Sequence, residues 1–318
     1  MKILNFGSLN IDYTYKVPHF VGRGETLAAL DMKKFPGGKG LNQSVALGRS
    51  GAEVYHAGAV GMDDGEFLAE LLKENGADTR FIRRLDMPSG HAVIQNTPDG
   101  DNCILICGGA NRAITREMVD ETLSFFGEGD FLVLQNEISS LEYLMDRARE
   151  NEMLIVLNPS PFDRALIPLV KKGVYLLMVN EVEAAGLCGT SPSGEDSGER
   201  SGEDGTAASD PEARDALIAG IRAHFPGTRA VLTLGGEGAC YIDGDETVFQ
   251  PAFPVKAVDT TAAGDTFTGY FVGALAEGRS PAEALKRAAA AAAISVTRPG
   301  AAPSVPGKEE VESFLAGK

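Results

Sequence analysis

The sequence predicts an α/β fold: a mostly parallel central sheet with helices on both faces, plus a small β-sheet lid. Three observations predict it. Over most of its length, short apolar runs alternate with segments of helical periodicity, the pattern of βα units. Two stretches, about 13–36 and 78–106, interrupt that alternation with proline, glycine and short alternating strands. Polar residues recur just after the apolar runs, at the strand ends where open α/β sheets bind ligands. With 318 residues and 43% hydrophobic content the chain can bury a large core, and it reads as a single α/β domain over 1–318.

The first strand, 3–7, ends in Ser8-Leu9-Asn10-Ile11-Asp12, placing Asn10 and Asp12 at its carboxyl end. From Tyr13 to Phe35 no crossover helix is expected, because the segment carries Pro18, Gly22 and Gly24 before a strand-like 26–32. The second interruption joins 78–85 to 91–106, with a turn at Pro98-Asp99-Gly100. Together the two are expected to cover the site as a lid. Between them Gly37-Gly38-Lys39-Gly40-Leu41-Asn42-Gln43 opens a helix over 41–50, and 53–58 is a strand. Strands at 131–135, 153–157 and 175–179 follow, with helices at 140–150 and 163–170. Residues 189–210 are rich in Gly, Ser, Glu and Asp, with Arg200 the one basic residue. That composition buries too little apolar area to order itself and reads as a disordered, solvated acidic insertion. A helix over 211–224, strands at 230–234, 239–242 and 247–250, and helices at 264–277, 281–297 and 308–315 complete the chain.

A net charge of −16 argues against nucleic-acid and anionic-membrane partners. Any nucleotide would have to find locally positive or dipolar sites. Met1–Phe6 is too short for a secretory apolar region, and no run approaches the ~18 apolar residues of a membrane span. Cys103, Cys107, Cys188 and Cys240 show neither CxxC nor metal spacing, so reduced thiols and a cytoplasmic setting are expected.

The stretch with most chemistry is Val258-Asp259-Thr260-Thr261-Ala262-Ala263-Gly264-Asp265-Thr266-Phe267, which runs into a helix. Small residues at 262–264 allow close approach to the backbone. The free N–H groups of a first helical turn favour an anion there. An acid in that position, Asp265, repels a phosphate unless its task is to take a proton from an attacking hydroxyl. An Asp before a helix is also a common cap. Elsewhere, Gln135-Asn136-Glu137 gives an amide and a carboxylate at a strand end, and Asn180-Glu181-Val182-Glu183 opens a helix. There Glu183 can cap or can hold water around Mg²⁺. Thr233-Leu234-Gly235-Gly236-Glu237-Gly238 can pass under a nucleotide. Walker A, G-x-G-x-x-G, HExxH and G-x-S-x-G spacings are all missing.

On these residues, together with Gly108-Gly109-Ala110-Asn111, Leu157-Asn158-Pro159 and 296–306, the chain resembles the ribokinase-like (PfkB) carbohydrate kinases over nearly its whole length. The joint occurrence of Asp-Thr-x-Ala-Ala-Gly-Asp-Thr-Phe and Gly-Gly-Lys-Gly-x-Asn-Gln is specific. The resemblance implies that Asp265 is the general base, with the amides of Ala262, Ala263, Gly264 and Asp265 as an anion hole. Asn10, Asp12, Gly38, Lys39, Asn42 and Glu137 would hold sugar hydroxyls, and Ala92 and Ile94 would close over them from the lid. Asn180 and Glu183 would organise Mg²⁺ and phosphates, Glu183 through water, while Thr233, Gly235 and Gly238 would line the ATP. A monovalent cation, K⁺, would take Asp259 and Ser304 and the carbonyls of Thr261, Ser295, Arg298 and Gly300. A homodimer through the lid is implied too. Thr268 stands where the family commonly has Asn, and Ala289 where a His or Asn often touches adenine.

The expected activity is phosphorylation of the primary hydroxyl of D-ribose by ATP. Nucleoside, fructose and deoxy-sugar-acid kinases are open alternatives within the same chemistry. A non-catalytic sugar or nucleotide sensor, and more remotely a dinucleotide-dependent oxidoreductase, are the alternatives outside it.

Overall fold

Order along the chain follows the alternation read above. The structure, a computed structural model, describes residues 1–189 and 211–317; the insertion expected at 189–210 lies, Gly189 apart, outside them. Strands β1 (Ile3–Phe6), β2 (Asn10–Lys16) and β3 (Asp31–Gly37) precede helix α1 (Lys39–Ser50). Next come β4 (Val54–Gly61), α2 (Glu66–Glu74), β5 (Asp78–Leu85), β6 (Gly90–Asn96), β7 (Asn102–Cys107) and α3 (Arg116–Leu123). The middle of the chain supplies β8 (Phe131–Leu134), α4 (Leu141–Glu150), β9 (Leu154–Leu157), α5 (Ile167–Lys171), β10 (Leu176–Asn180) and α6 (Glu181–Cys188). The remainder is α7 (Pro211–His224), β11 (Arg229–Thr233), β12 (Gly238–Asp243), β13 (Glu246–Pro251), α8 (Ala263–Ala276), α9 (Pro281–Ser295) and α10 (Lys308–Ala316).

Two sheets result. The larger has the order β13-β12-β11-β10-β9-β8-β1-β4-β5 and is parallel except where β12 pairs with β11 and β13. A separate sheet, β3-β2-β6-β7, is the expected lid. The two cores follow from the pleat, since successive side chains of β1 leave opposite faces. Ile3 joins the cluster with α1, α2, α8, α9 and α10, while Leu4 and Phe6 join the one with α3 to α7. Strand order turns at β1, with β4 and β5 on one side and β8 to β11 on the other, so a crevice opens at its carboxyl end.

Three expectations are corrected. Residues 78–85, expected in the lid, form β5, the parallel edge strand of the main sheet beside β4. Its adjacent apolar pair, Phe81 and Ile82, is buried, and an isolated lid has no second layer to cover both faces. The strand sought at 26–32 lies at Asp31–Gly37, because its pairing with β2 runs from Asn10↔Gly37 to Lys16↔Asp31. The helix expected over 163–170 begins instead as a 3₁₀ turn, Arg164–Leu166, with Asp163 accepting from Ala165 N at 2.8 Å. Pro168 has no N–H to extend that turn, and α5 starts afresh around it.

Packing of α8 on α1 positions the site. A Cβ on Gly269 would overlap Ala46 Cβ and lie 2.9 Å from Leu47 N, and one on Gly273 would overlap Ser50 Oγ. These two glycines let the helices meet almost backbone to backbone, which carries the start of α8 to Asn42 and Gln43. Replacing Gly269 by alanine gains about 1 kcal/mol of helix propensity, yet overpacking costs about 1–3 kcal/mol and wins. Gly269→Ala is therefore expected to lower the urea midpoint, and a midpoint at or above the parent's would contradict this close approach.

Candidate active site

At the mouth of α8 the backbone is set by Ala262, which holds φ 59° and ψ 17°, a left-handed conformation that costs a non-glycine residue about 1 kcal/mol or more. This turn lets Ala263 N–H return to Thr260 O at 3.1 Å and Thr266 N–H to Ala262 O at 2.8 Å. The N–H groups of Gly264 and Asp265 lie between them, in a first turn with no earlier turn to receive them. Around Gly264 there is open space where a side chain would stand. A cleft of about 210 Å³ lies over it, lined by Lys39, Asn158, Ser160, Asn180, Glu183 and Thr233 together with Ala262 to Asp265.

Asp265 is not the cap. Ala262 occupies that position, and the Asp265 side chain turns instead toward α1. Asn42 Nδ2 donates to Oδ2 at 3.2 Å and Gln43 Nε2 to Oδ1 at 2.9 Å. Only 8% of Asp265 is exposed, and burial pushes its carboxyl above the usual range, opposed by Lys39 and by the two amides. A buried, ionisable oxygen beside unpaired helix N–H groups can take a proton while the amides face an anion.

A second group meets around the root of the lid. Glu137 accepts from Ser8 Oγ and from Lys39 N, the latter at 3.0 Å, which ties β8, β1 and the start of α1 together. Asp12 stands nearby on β2. Its carboxyl is raised to about 6, by burial first and by the Glu137 charge second. Gly38, with φ 96°, makes the entry to α1; a Cβ there would be 3.1 Å from Asn10 N. Asn10 Oδ1 accepts from Asn111 Nδ2 at 2.7 Å, so the amino end of the Asn10 amide is the one left to face a ligand. Asn111 also takes Leu9 N at 3.0 Å, fixing the crossing from main sheet to lid. Ala92 pairs with Asp12 and Ile94 with Thr14, on the lid sheet.

The remaining site residues divide by location. Asn180 and Glu183 form a full capping box on α6 (Glu183 N to Asn180 Oδ1 2.8 Å, Asn180 N to Glu183 Oε2 3.0 Å) and line the cleft as well. Burial raises the Glu183 carboxyl, against the pull of Asn180, Lys39 and Ser160. Thr233 lines the cleft; Gly235 and Gly238 follow in the next turn, outside that lining. A Cβ on Gly238 would overlap Gln250 O, so its constraint is the β12–β13 pairing. Ala289 is buried in the core on α9 and is also outside the lining.

Asp259 accepts from Thr261 N (2.9 Å), Thr261 Oγ1 (2.6 Å) and Gly300 N (2.7 Å). Burial raises its carboxyl, but these hydrogen bonds outweigh that and hold it low. Ser295 O receives Arg298 N at 3.0 Å, and Ser304 Oγ donates to Ala301 O at 2.8 Å. The set at 259–304 is carboxylate, hydroxyl and carbonyl oxygen, which suits a hard cation. Among the described residues no three His, Cys, Asp or Glu side chains gather as metal ligands, so a divalent ion would depend on phosphate and water. Sequence reasoning gave no role to Asn158, Ser160 or Gln43. The signal for Asn158 was its place, directly after an apolar run.

The family model for pfkB family carbohydrate kinases matches residues 1–308. The chain belongs to that family. Among its relatives in the pfkB family, ribokinase of Haemophilus influenzae is 34% identical over 314 residues, 97% of this chain and 96% of that one. The ribokinase of Cryptococcus neoformans var. grubii serotype A in complex with ADP superimposes with a TM-score of 0.85 at 33% identity, covering 98% and 99% of the two chains. Arabidopsis thaliana ribokinase complexed with ribose and ATP gives 0.81 at 28% identity, covering 99% and 98%. The large parallel sheet and separate small sheet are thus the architecture of the pfkB fold, and the chain is a member of a family of phosphotransferases.

Asp12 gives this pfkB site a pH signature. Its folded value lies above the usual carboxylate range, so the folded state binds the extra proton between about pH 4 and 6. The favourable contribution is present below that window and is lost as pH rises through it. Asp12→Asn should remove this loss and stabilise the apo protein at pH 8 by about 1–2 kcal/mol, after allowing for solvent screening. Urea denaturation at pH 4 and pH 8 reads the difference, and an equal effect at both pH values would contradict the assignment.

Proposed function

We propose that the chain is an ATP-dependent ribokinase, transferring the γ-phosphoryl group to the primary hydroxyl of D-ribose and forming ribose 5-phosphate. The observation that carries the reading is the buried Asp265 carboxylate beside the open N–H groups of Gly264 and Asp265. Asp265 takes the hydroxyl proton as the sugar oxygen bonds to phosphorus, the bond from phosphorus to the ADP oxygen breaks, and ADP leaves. Charge on the transferring group meets the N-terminus of α8 and the Lys39 ammonium. The names of the relatives support ribose and ATP as the substrates. Asn10, Asp12, Asn42, Glu137 and the Gly38–Lys39 backbone are the proposed sugar contacts, and Asn180, Glu183, Thr233, Gly235 and Gly238 the proposed nucleotide side. Ala289 would meet the adenine only through its small remaining exposed surface.

Bound Mg²⁺ would neutralise phosphate oxygens; Glu183 is the residue proposed to hold its water. Asp259, Ser304 and the carbonyls of Thr261, Ser295, Arg298 and Gly300 are proposed to hold K⁺, beside the anion hole. The four-stranded sheet is proposed as a lid, with Ala92 and Ile94 closing over the sugar and excluding water that would compete as acceptor. Its apolar residues Phe35, Ile104 and Ile106 are 43%, 48% and 59% exposed, which favours a second copy as their cover and hence a homodimer. Among the described residues no helix is long and apolar enough to cross a membrane; with four free cysteines, a cytoplasmic setting is the proposal.

A coupled assay of ADP release with ribose, fructose, a deoxy-sugar acid and nucleosides, with and without K⁺, tests the reading, and turnover strongest on a different acceptor would displace ribose. Asp265→Asn should cut kcat by about 10²–10⁴-fold while ATP still binds. Full activity in that variant would remove Asp265 as the base. Ile106→Asp should shift the protein toward monomer in sedimentation, whereas a parent already monomeric would end the dimer proposal.

A further inference from the structure

Behind the base lies a buried chain of amides to which the proposed function gives no task. Gln43 Nε2 donates to Asp265 Oδ1 at 2.9 Å and to Asn158 Oδ1 at 3.2 Å. Gln43 Oε1 accepts from Gln135 Nε2 at 2.7 Å, and the same nitrogen donates to Asn5 Oδ1 at 2.9 Å. Asn5 Nδ2 in turn donates to Gly40 O and to Ser44 Oγ, both at 2.8 Å. Asn5, Gln43 and Gln135 are at most 1% exposed, so water has no place to substitute for any link.

We propose that Gln43 and Gln135 are positioning residues for Asp265, and that the Gly40 carbonyl sets the direction of the chain. A side-chain amide can turn over, exchanging its N and O ends, whereas a backbone carbonyl can only accept. With Gly40 O fixed as an acceptor, Asn5 must present Nδ2 to it and Oδ1 to Gln135. Gln135 must then present N–H on both sides, and Gln43 is left with its oxygen toward Gln135 and its N–H toward the base. A donor therefore always faces Asp265 Oδ1, favouring the ionised carboxylate and holding its plane. This ordering has a cost: among the described residues Gln135 Oε1 is buried with no hydrogen-bond partner. A buried acceptor left unmatched calls for a reason, and the fixed polarity supplies one. Gly7 is part of the device, since a Cβ there would overlap Gln135 Oε1.

The inference rests on Asp265 being the base, and its test separates the two. Gln135→Met keeps the approximate volume, removes both donors and adds no charge; Gln43→Leu removes the link to the carboxylate directly. Each is expected to lower kcat about tenfold or more, leave KM for the sugar within about twofold, and move the acid limb of the kcat–pH profile to higher pH. Ser44→Ala leaves the Gly40 anchor in place and should shift neither. The Asp265 carboxyl can also be titrated by NMR in all four proteins without turnover, and a rise confined to Gln135→Met and Gln43→Leu is expected. An unmoved Asp265 titration in both of those folded variants overturns the relay, whatever sugar the enzyme accepts. A parent inactive on every acceptor tested would count against the proposed function alone.

Discussion

Placing a carboxylate out of water is the constraint from which the site is built. An ionised acid in a dry interior is costly unless donors surround it. Asp265 receives those donors from α1, through Asn42 and Gln43, and its proximity to α1 exists because Gly269 and Gly273 let two helices touch. The N-terminal end of α8 and the ammonium of Lys39 add positive potential. Thus helix packing some distance along α8, the glycine run at 37–40 and the polar face of α1 answer one electrostatic demand. None of them needs a cationic surface, in a chain of net charge −16.

Structural and functional roles coincide here more than they compete. Asn180 and Glu183 satisfy the backbone of α6 as a capping box, and that same box holds Glu183 against the cleft with one oxygen fixed. Glu137 serves likewise. By accepting from Ser8 and Lys39 N it joins three elements at the point where strand order turns, and it adds charge beside Asp12. The Glu137 charge disfavours ionisation of Asp12, so this arrangement is held at some cost in stability.

Much of this was legible in the sequence because the informative signals were local. Apolar runs followed by polar residues gave the strand ends, and the helix expected from 281 begins there as α9. The small residues at 262–264 marked a helix mouth open to a ligand. Where the reading failed, the deciding interaction was distant in sequence. Residues 78–85 read as part of the second lid segment, but β4 claims them through pairing that local pattern cannot reveal. The strand sought at 26–32 is placed by its register against β2, which is anchored at Gly37. Whether Asp265 capped α8 was undecidable from spacing alone, because its partners Asn42 and Gln43 lie 223 and 222 residues away.

The hydrogen-bond partners of Asp265 are neutral amides, and that choice sets how its charge is balanced. An arginine in place of Gln43 would also satisfy the buried carboxylate, and with a stronger hydrogen bond. It would hold the acid so far toward its ionised form that little driving force for proton uptake would remain, and a base works best when its own value lies near the working pH. Amides stabilise the charge less, so burial prevails and the carboxyl stays raised. Lys39 interacts favourably with both Asp265 and Glu183. Its charge is thereby divided between two acids instead of being spent on one. The buried carboxyl thus stays raised, and the residues that balance it, Lys39, Asn42 and Gln43, all lie on the first two turns of α1.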